Sequence, residues 1–202
     1  MRAWLSAWLA VAFLPVSAWA QSADLPSLTE RTFGVADRVS VTLPAHWRVE
    51  RSDNDDDADG SSLTASSAPA PSKALVKVAV VRAKASQSDL NRMVRINKAK
   101  LLDSVRAQFE SDLPRLTEQM QKQGRPYLGH ESFSVAEIDG LTAFVISYQR
   151  AGPDGRTPFL VSIYQVPMGD RKVVLNLSYS ASDAPAYRPM IEAIRASTVI
   201  KR

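Results

Sequence analysis

The 202-residue sequence contains no cysteine. That excludes disulfides, thiol catalysis, sulfur redox chemistry and zinc–thiolate sites, so packing alone must stabilise the fold. It also excludes the lipid-bearing cysteine of a bacterial lipoprotein. Histidine is nearly absent: His46 and His130 stand far apart, in neither the HxH nor the HxxxH spacing that a metal or catalytic pair favours. The expectation is a turn residue and a surface residue. There are only eight glycines, none in a phosphate-cradling loop, and no serine sits in a Gly-x-Ser-x-Gly elbow. Tryptophan is concentrated in the first 20 positions, leaving Trp47 alone downstream. The net charge is only +4, and basic residues form no stripe interleaved with aromatics. Nucleic acid is therefore not an expected partner.

What is present begins with a leader. Arg2 precedes an apolar run from Trp4 to Val16, and Ala18-Trp19-Ala20 supplies the small-x-small pattern of a signal peptidase site. Cleavage is expected after Ala20, giving a periplasmic or secreted protein that starts at Gln21. The run is shorter than the ~20 residues needed to span a bilayer and contains Pro15, so no stable transmembrane anchor is expected after cleavage.

Residues 21–31 read as a flexible lead and 32–202 as a single domain. Apolar residues at Phe33, Val35, Val39 and Val41 read as one strand, followed by a turn near Pro44-Ala45 and a short strand through Trp47 and Val49. Residues 51–73 are rich in Asp, Ser, Ala and Pro and read as a disordered acidic loop. "ALVKVAVVRA" at 74–83 reads as a buried strand. Ser86 or Ser88 then offers a helix cap, and apolar positions 90, 93, 94, 101, 105, 109, 113, 116 and 120 trace one helical stripe. Pro114 predicts a kink or a restart there, capped by Ser111 or Asp112, with the helix ending near Gly124.

Beyond Gly124 the period changes to two. Turns at Asp139-Gly140, at 152–155 and at Gly169-Asp170 divide the stretch from His130 into four antiparallel strands. Asp183 and Pro185 open a C-terminal helix with Tyr187, Ile191 and Ile194 on one face, and 198–200 read as a short closing strand. The sum is an α+β fold, an antiparallel β-sheet with a long helix and a C-terminal helix packed on it.

One stretch resembles a metal loop. In "DNDDDADG", Asp55, Asp57, Asp59 and Gly60 fill positions 1, 3, 5 and 6 of a calcium-binding EF-hand pattern. Position 12, which should hold a bidentate glutamate, is Ser66, and no helical pattern flanks the loop. The reading is a solvated loop. Asp55, Asp57 and Asp59 are the metal candidates, with calcium as the ion they would take, and no other cofactor is expected. Glu131, Glu137 and Asp139 are the carboxylates that a hydrolase would use, though acids are ordinary at strand starts and turns. Arg92, Arg95, Lys98, Lys100 and Arg106 give the long helix a basic side, read as a solvated face or as a surface for anionic lipid or an acidic partner.

"VSVTLPAHWRVE", "IDGLTAFVISYQR" and "YQVPMGDRKVVLNLSYSASDAPAYRPMIEAIRAS" together resemble the Mog1/PsbP-like superfamily, which includes bacterial DcrB-type (DUF1795) periplasmic proteins. The resemblance spans roughly 33–200 in element order. It implies a sheet sandwiched by helices and a binding, accessory or assembly role, with no catalytic residue to transfer. The acidic loop and the length of the first helix depart from the family pattern. The expectation is a non-enzymatic envelope protein that binds an exported protein or envelope component in a groove between sheet and long helix, lined by Trp47, Tyr148 and Tyr164. A small carboxylate-using hydrolase, and an inhibitor or immunity-like partner of a secreted toxin, are the alternatives.

Overall fold

A computed structural model describes residues 30–52 and 61–201. The leader, most of the lead segment, and Asp55, Asp57 and Asp59 lie outside the described residues. Among the described residues no cluster of three or more His, Asp or Glu is placed to hold a metal.

Strands β1 (Glu30–Val35) and β2 (Val39–Pro44) form a hairpin. They were expected as one strand, but Ala36 and Asp37 both take φ of 49° and reverse the chain in two residues. The turn lacks the Asn-Gly or Asp-Gly signature, which is why the period-2 pattern reads straight through it. The closing strand β10 (Val199–Ile200) pairs with the free side of β2, completing a three-stranded sheet.

The larger sheet has seven strands in the order β3-β4-β5-β9-β8-β7-β6. These are β3 (Arg48–Ser52), β4 (Ser62–Ser66), β5 (Ala74–Ala85), β6 (Tyr127–Ile138), β7 (Leu141–Ala151), β8 (Pro158–Pro167) and β9 (Gly169–Ser180). All neighbours are antiparallel, and β6 to β9 run as the expected meander. Within the expected disordered loop of 51–73, residues 62–66 form strand β4 instead, while 53–60 lie outside the described residues. The one large apolar residue of β4, Leu63, is 0 % exposed and pairs with Val78 of β5. A strand whose other residues are Ser, Thr and Ala has little hydrophobic signal, but small side chains pack where neighbouring layers approach closely.

Helices cover both faces, so the fold class is α+β as expected. On one face α2 (Ala184–Ala196) and the small sheet bury Val41, Leu43, Val78, Leu175, Leu177, Ile191 and Ile194. On the other, α1 (Gln87–Lys122) buries Leu90, Val105, Phe109, Leu116 and Met120 against Phe144, Ile146, Tyr148, Val161 and Ile163. Ser86 caps α1 by accepting from the Asp89 N–H at 3.1 Å. At the same end Gln87 pins the helix to the sheet, donating to the carbonyls of Thr142 and Pro167 at 2.9 and 3.0 Å and accepting from the Thr142 N–H at 3.0 Å.

The break in α1 is not where proline suggested. Pro114 is accommodated on the solvent side, where the Glu110 carbonyl that loses its partner is open to water. The helix breaks at Asn97 instead, with φ −160° and ψ 82°. The Asn97 side chain accepts from the Lys100 N–H at 2.9 Å, so it caps the second segment as a new helix start. Asp183 occupies the N-cap position of α2, with proline in its first turn as expected.

Replacing Leu63→Ala tests the corrected strand. A fully buried leucine is expected to cost about 2–5 kcal/mol in urea unfolding. A loss within about 0.5 kcal/mol, as for an exposed loop position, would contradict β4.

Candidate functional site

The three aromatic residues expected to line one groove are split by the sheet. Tyr148 is 3 % exposed and faces α1, its ring 6.3 Å from Phe109 and 5.9 Å from Tyr127. Trp47 and Tyr164, 5 % and 9 % exposed, belong to the opposite layer with α2, where the Arg195 guanidinium lies 5.8 Å from the Tyr164 ring centre. The ladder explains the split. Tyr148 stands opposite Val161, and Tyr164 lies an odd number of residues further on, which turns it to the other face. All three are core, so the expected groove is corrected.

The acids considered for hydrolysis are also dispersed. Glu131 lies near the start of β6 and accepts from the Tyr127 hydroxyl. That bond holds the Glu131 carboxyl below its ordinary range, while burial first and then Glu131 push the Tyr127 phenol up. Asp139 lies at the other end of β6, roughly 25 Å away along an extended strand. There its carboxylate accepts from the Ile200 N–H at 2.9 Å, fastening β10. The Glu137 backbone carbonyl accepts from Arg195 at 3.4 Å. His130 is exposed on β6, with φ 63°. His46 sits in the β2–β3 turn; its Nδ1 and the neighbouring Trp47 Nε1 are buried with no hydrogen-bond partner among the described residues.

The unusual chemistry lies on the α1 face of the sheet. Strand alternation carries Phe144, Ile146 and Tyr148 inward, and Arg150 follows in phase, 7 % exposed. The same rule turns Lys172 inward beside Val174; it is 5 % exposed and donates to Gln165 Oε1 at 3.1 Å. Burial lowers Lys172 to about 8 and Arg150 to about 10. Neither residue was singled out from the sequence, although period-2 phasing within "AFVISYQR" and "RKVVLNL" was the signal that marks them.

The other distinctive feature is the elbow of α1. Between Leu90 and Val105 no residue is buried. Ile96 is 76 % exposed beside the Asn97 break. Near it in the chain are Arg92, Arg95, Lys98 and Lys100, with Asp103 the one acid between 91 and 104. Arg92 is tied to Asp89 at 3.1 Å; Arg95, Lys98 and Lys100 form no ion pair among the described residues. Gln87 on one side and Val105 and Phe109 on the other hold both arms down, so the elbow projects from a fixed base. Large exposed apolar side chains elsewhere, Leu128 and Val199, are on separate elements. No described helix is long and apolar enough to cross a membrane.

No family model and no curated relative matches the chain. Solved structures do. One is the cyanobacterial PsbP (CyanoP) of Synechocystis sp. PCC 6803, 10 % identical over 90 % of this chain and 98 % of that one, with a TM-score of 0.49. A second is LpqN of Mycobacterium tuberculosis, 14 % identical over 86 % and 91 %, TM-score 0.45. A third is the Ran-binding protein Mog1p of Saccharomyces cerevisiae, 12 % identical over 86 % and 96 %, TM-score 0.43. At these identities and scores the likeness is one of fold alone, and no function is taken from it.

Lys172 gives the site a pH signature. Unfolded, it keeps its proton to about pH 10.5; folded, only to about 8. Between those values the unfolded chain binds more protons, so stability rises with pH across that window. Urea midpoints from pH 8 to 10 are expected to climb in the wild type relative to Lys172→Met, which keeps the packing stem and removes the charge. Parallel profiles for the two proteins would contradict the assignment.

Proposed function

We propose that the chain is an exported, non-enzymatic accessory protein of the cell envelope that docks on an anionic phospholipid surface through the elbow of α1. The observation that carries this reading is the elbow itself, an exposed Ile96 flanked in the chain by Arg92, Arg95, Lys98 and Lys100 on a helix segment with no fully buried residue. A shallow apolar knob among long basic side chains suits an interface of lipid headgroups. The apolar tip enters the acyl boundary while the ammonium and guanidinium groups stay with the phosphates. A stable protein partner would instead need a contact of roughly 800 Å² on each side with a well-packed apolar centre. One isolated isoleucine does not supply that centre.

The leader over residues 1–20 agrees with this compartment, as does the motif resemblance to DcrB-type periplasmic proteins within the Mog1/PsbP-like superfamily. The basic side of the helix, which the sequence left between a solvated face and a docking surface, takes the second role here.

Co-sedimentation of the protein from Gln21 onward with vesicles tests the proposal. Binding is expected to vesicles containing phosphatidylglycerol and not to phosphatidylcholine alone. Raising salt from 0.1 to 1 M should release it, as the screening length falls from ~10 to ~3 Å. A basic residue near an anionic surface contributes about 1 kcal/mol, so Lys98→Glu with Lys100→Glu is expected to weaken binding more than tenfold. Equal binding to both lipids, or no effect of the double reversal, would contradict it.

A further inference from the structure

At the end of β7 a charge is folded inward with no carboxylate bonded to it among the described residues. The Arg150 guanidinium donates to the Ala151 carbonyl at 2.9 Å and to Ser178 Oγ at 3.4 Å, and its centre lies 5.6 Å from the Phe159 ring centroid. None of these neighbours is an anion. Beside it stands Arg125, half-buried in the link between α1 and β6. Two residues on, Tyr127 pairs with Arg150 across the ladder, and the intervening Pro126 carbonyl accepts from the Ala151 N–H at 2.8 Å. The link is thereby fixed against β7, and both guanidinium groups are held at the same end of the sheet.

The charged groups acting on Arg150 are the Tyr148 phenol and the Arg125 guanidinium; among the described residues no carboxylate does so. The acids of this end are committed elsewhere. Asp154 accepts from the backbone N–H groups of Arg156 and Thr157 at 3.0 and 2.9 Å and from the Thr157 hydroxyl, closing its own turn. Asp183 holds Lys73 at 3.2 Å and Ser180 at 2.7 Å. Glu131 takes the Tyr127 hydroxyl. Burial, with Arg125 acting in the same direction, lowers Arg150 to about 10, and burial alone lowers Arg125.

Buried guanidinium groups are ordinarily matched by a carboxylate or phosphate, because desolvating a cation without an opposite charge is costly and a second cation beside it adds repulsion. We propose that Arg125 and Arg150 form a binding site for a small oxyanion, a carboxylate or phosphate group held between the two guanidinium groups. Arg150 forms the floor, its guanidinium over the Phe159 ring and steered by Ala151 and Ser178. Arg125, more accessible, faces the incoming ligand. The guanidinium fork matches two oxygens of one such group, which a lysine would not do. The site lies beyond the C-terminal end of α1 and is distinct from the elbow, so the two proposals stand or fall separately.

The test titrates the protein from Gln21 onward with inorganic phosphate and with acetate, each against chloride at matched ionic strength, following heat of binding and the thermal midpoint. Phosphate or acetate is expected to raise the midpoint where chloride does not. Arg125→Gln, at a half-buried position, is expected to keep the fold and weaken oxyanion binding tenfold or more, while vesicle binding is unchanged. Arg150→Lys keeps the charge but loses the fork and is expected to weaken binding likewise. An oxyanion response no larger than that of chloride, or one that survives Arg125→Gln, would overturn the site.

Discussion

The registered ladder of β5, β9, β8 and β7 is the constraint on which the rest of the molecule depends. Its strands are covered on both faces, by α1 on one side and by α2 with the small sheet on the other. A strand buried on both faces has no solvated side on which to place polar groups. Each polar residue within it must find partners inside the protein. Lys172 meets Gln165, and Ser147 meets Ser162 at 2.9 Å across adjacent strands. Arg150 meets a hydroxyl, a carbonyl and an aromatic ring, and none of these partners among the described residues is a carboxylate. The ladder makes that position conspicuous and gives the oxyanion proposal its footing.

The elbow lies between two anchors. The 36-residue helix is fastened at one end by Gln87 and further on by the contacts of Phe109, Leu116 and Met120. Asn97 ends one segment and caps the next. Between the anchors Val94 and Leu101 pack partly against the core, and the rest of the stretch is mainly basic and polar with one exposed isoleucine. The proposed lipid contact and the proposed oxyanion site thus lie at two places, the first at the break of this helix and the second just past its end.

Much of the architecture was legible in the sequence because local signals agreed with burial. The meander from β6 to β9, the Ser86 cap and the Asp183–Pro185 start of α2 all follow from turn residues and periodicity. The misreadings have local causes. The β1–β2 turn uses Ala36-Asp37 without glycine, β4 is built of small residues around Leu63, and Pro114 was given more weight than Asn97. The groove of Trp47, Tyr148 and Tyr164 failed for another reason. Which face a side chain takes depends on parity along registered strands, and three aromatic residues on different elements carry no parity in common.

The sequence by itself determined most of the element types, because helical stripes, strand alternation and turn chemistry act over a few residues. It also determined the absence of disulfides and the basic character of the first helix. Only the tertiary structure decided which groups meet. Arg125 and Arg150 are distant in the chain, and the pairing of β6 with β7 brings them to the same end of the sheet. Ile96 became exposed because the anchors on either side hold to the sheet and the break between them does not. Long-range pairing and competition for buried surface settle such outcomes, and neither is written into any one stretch of sequence.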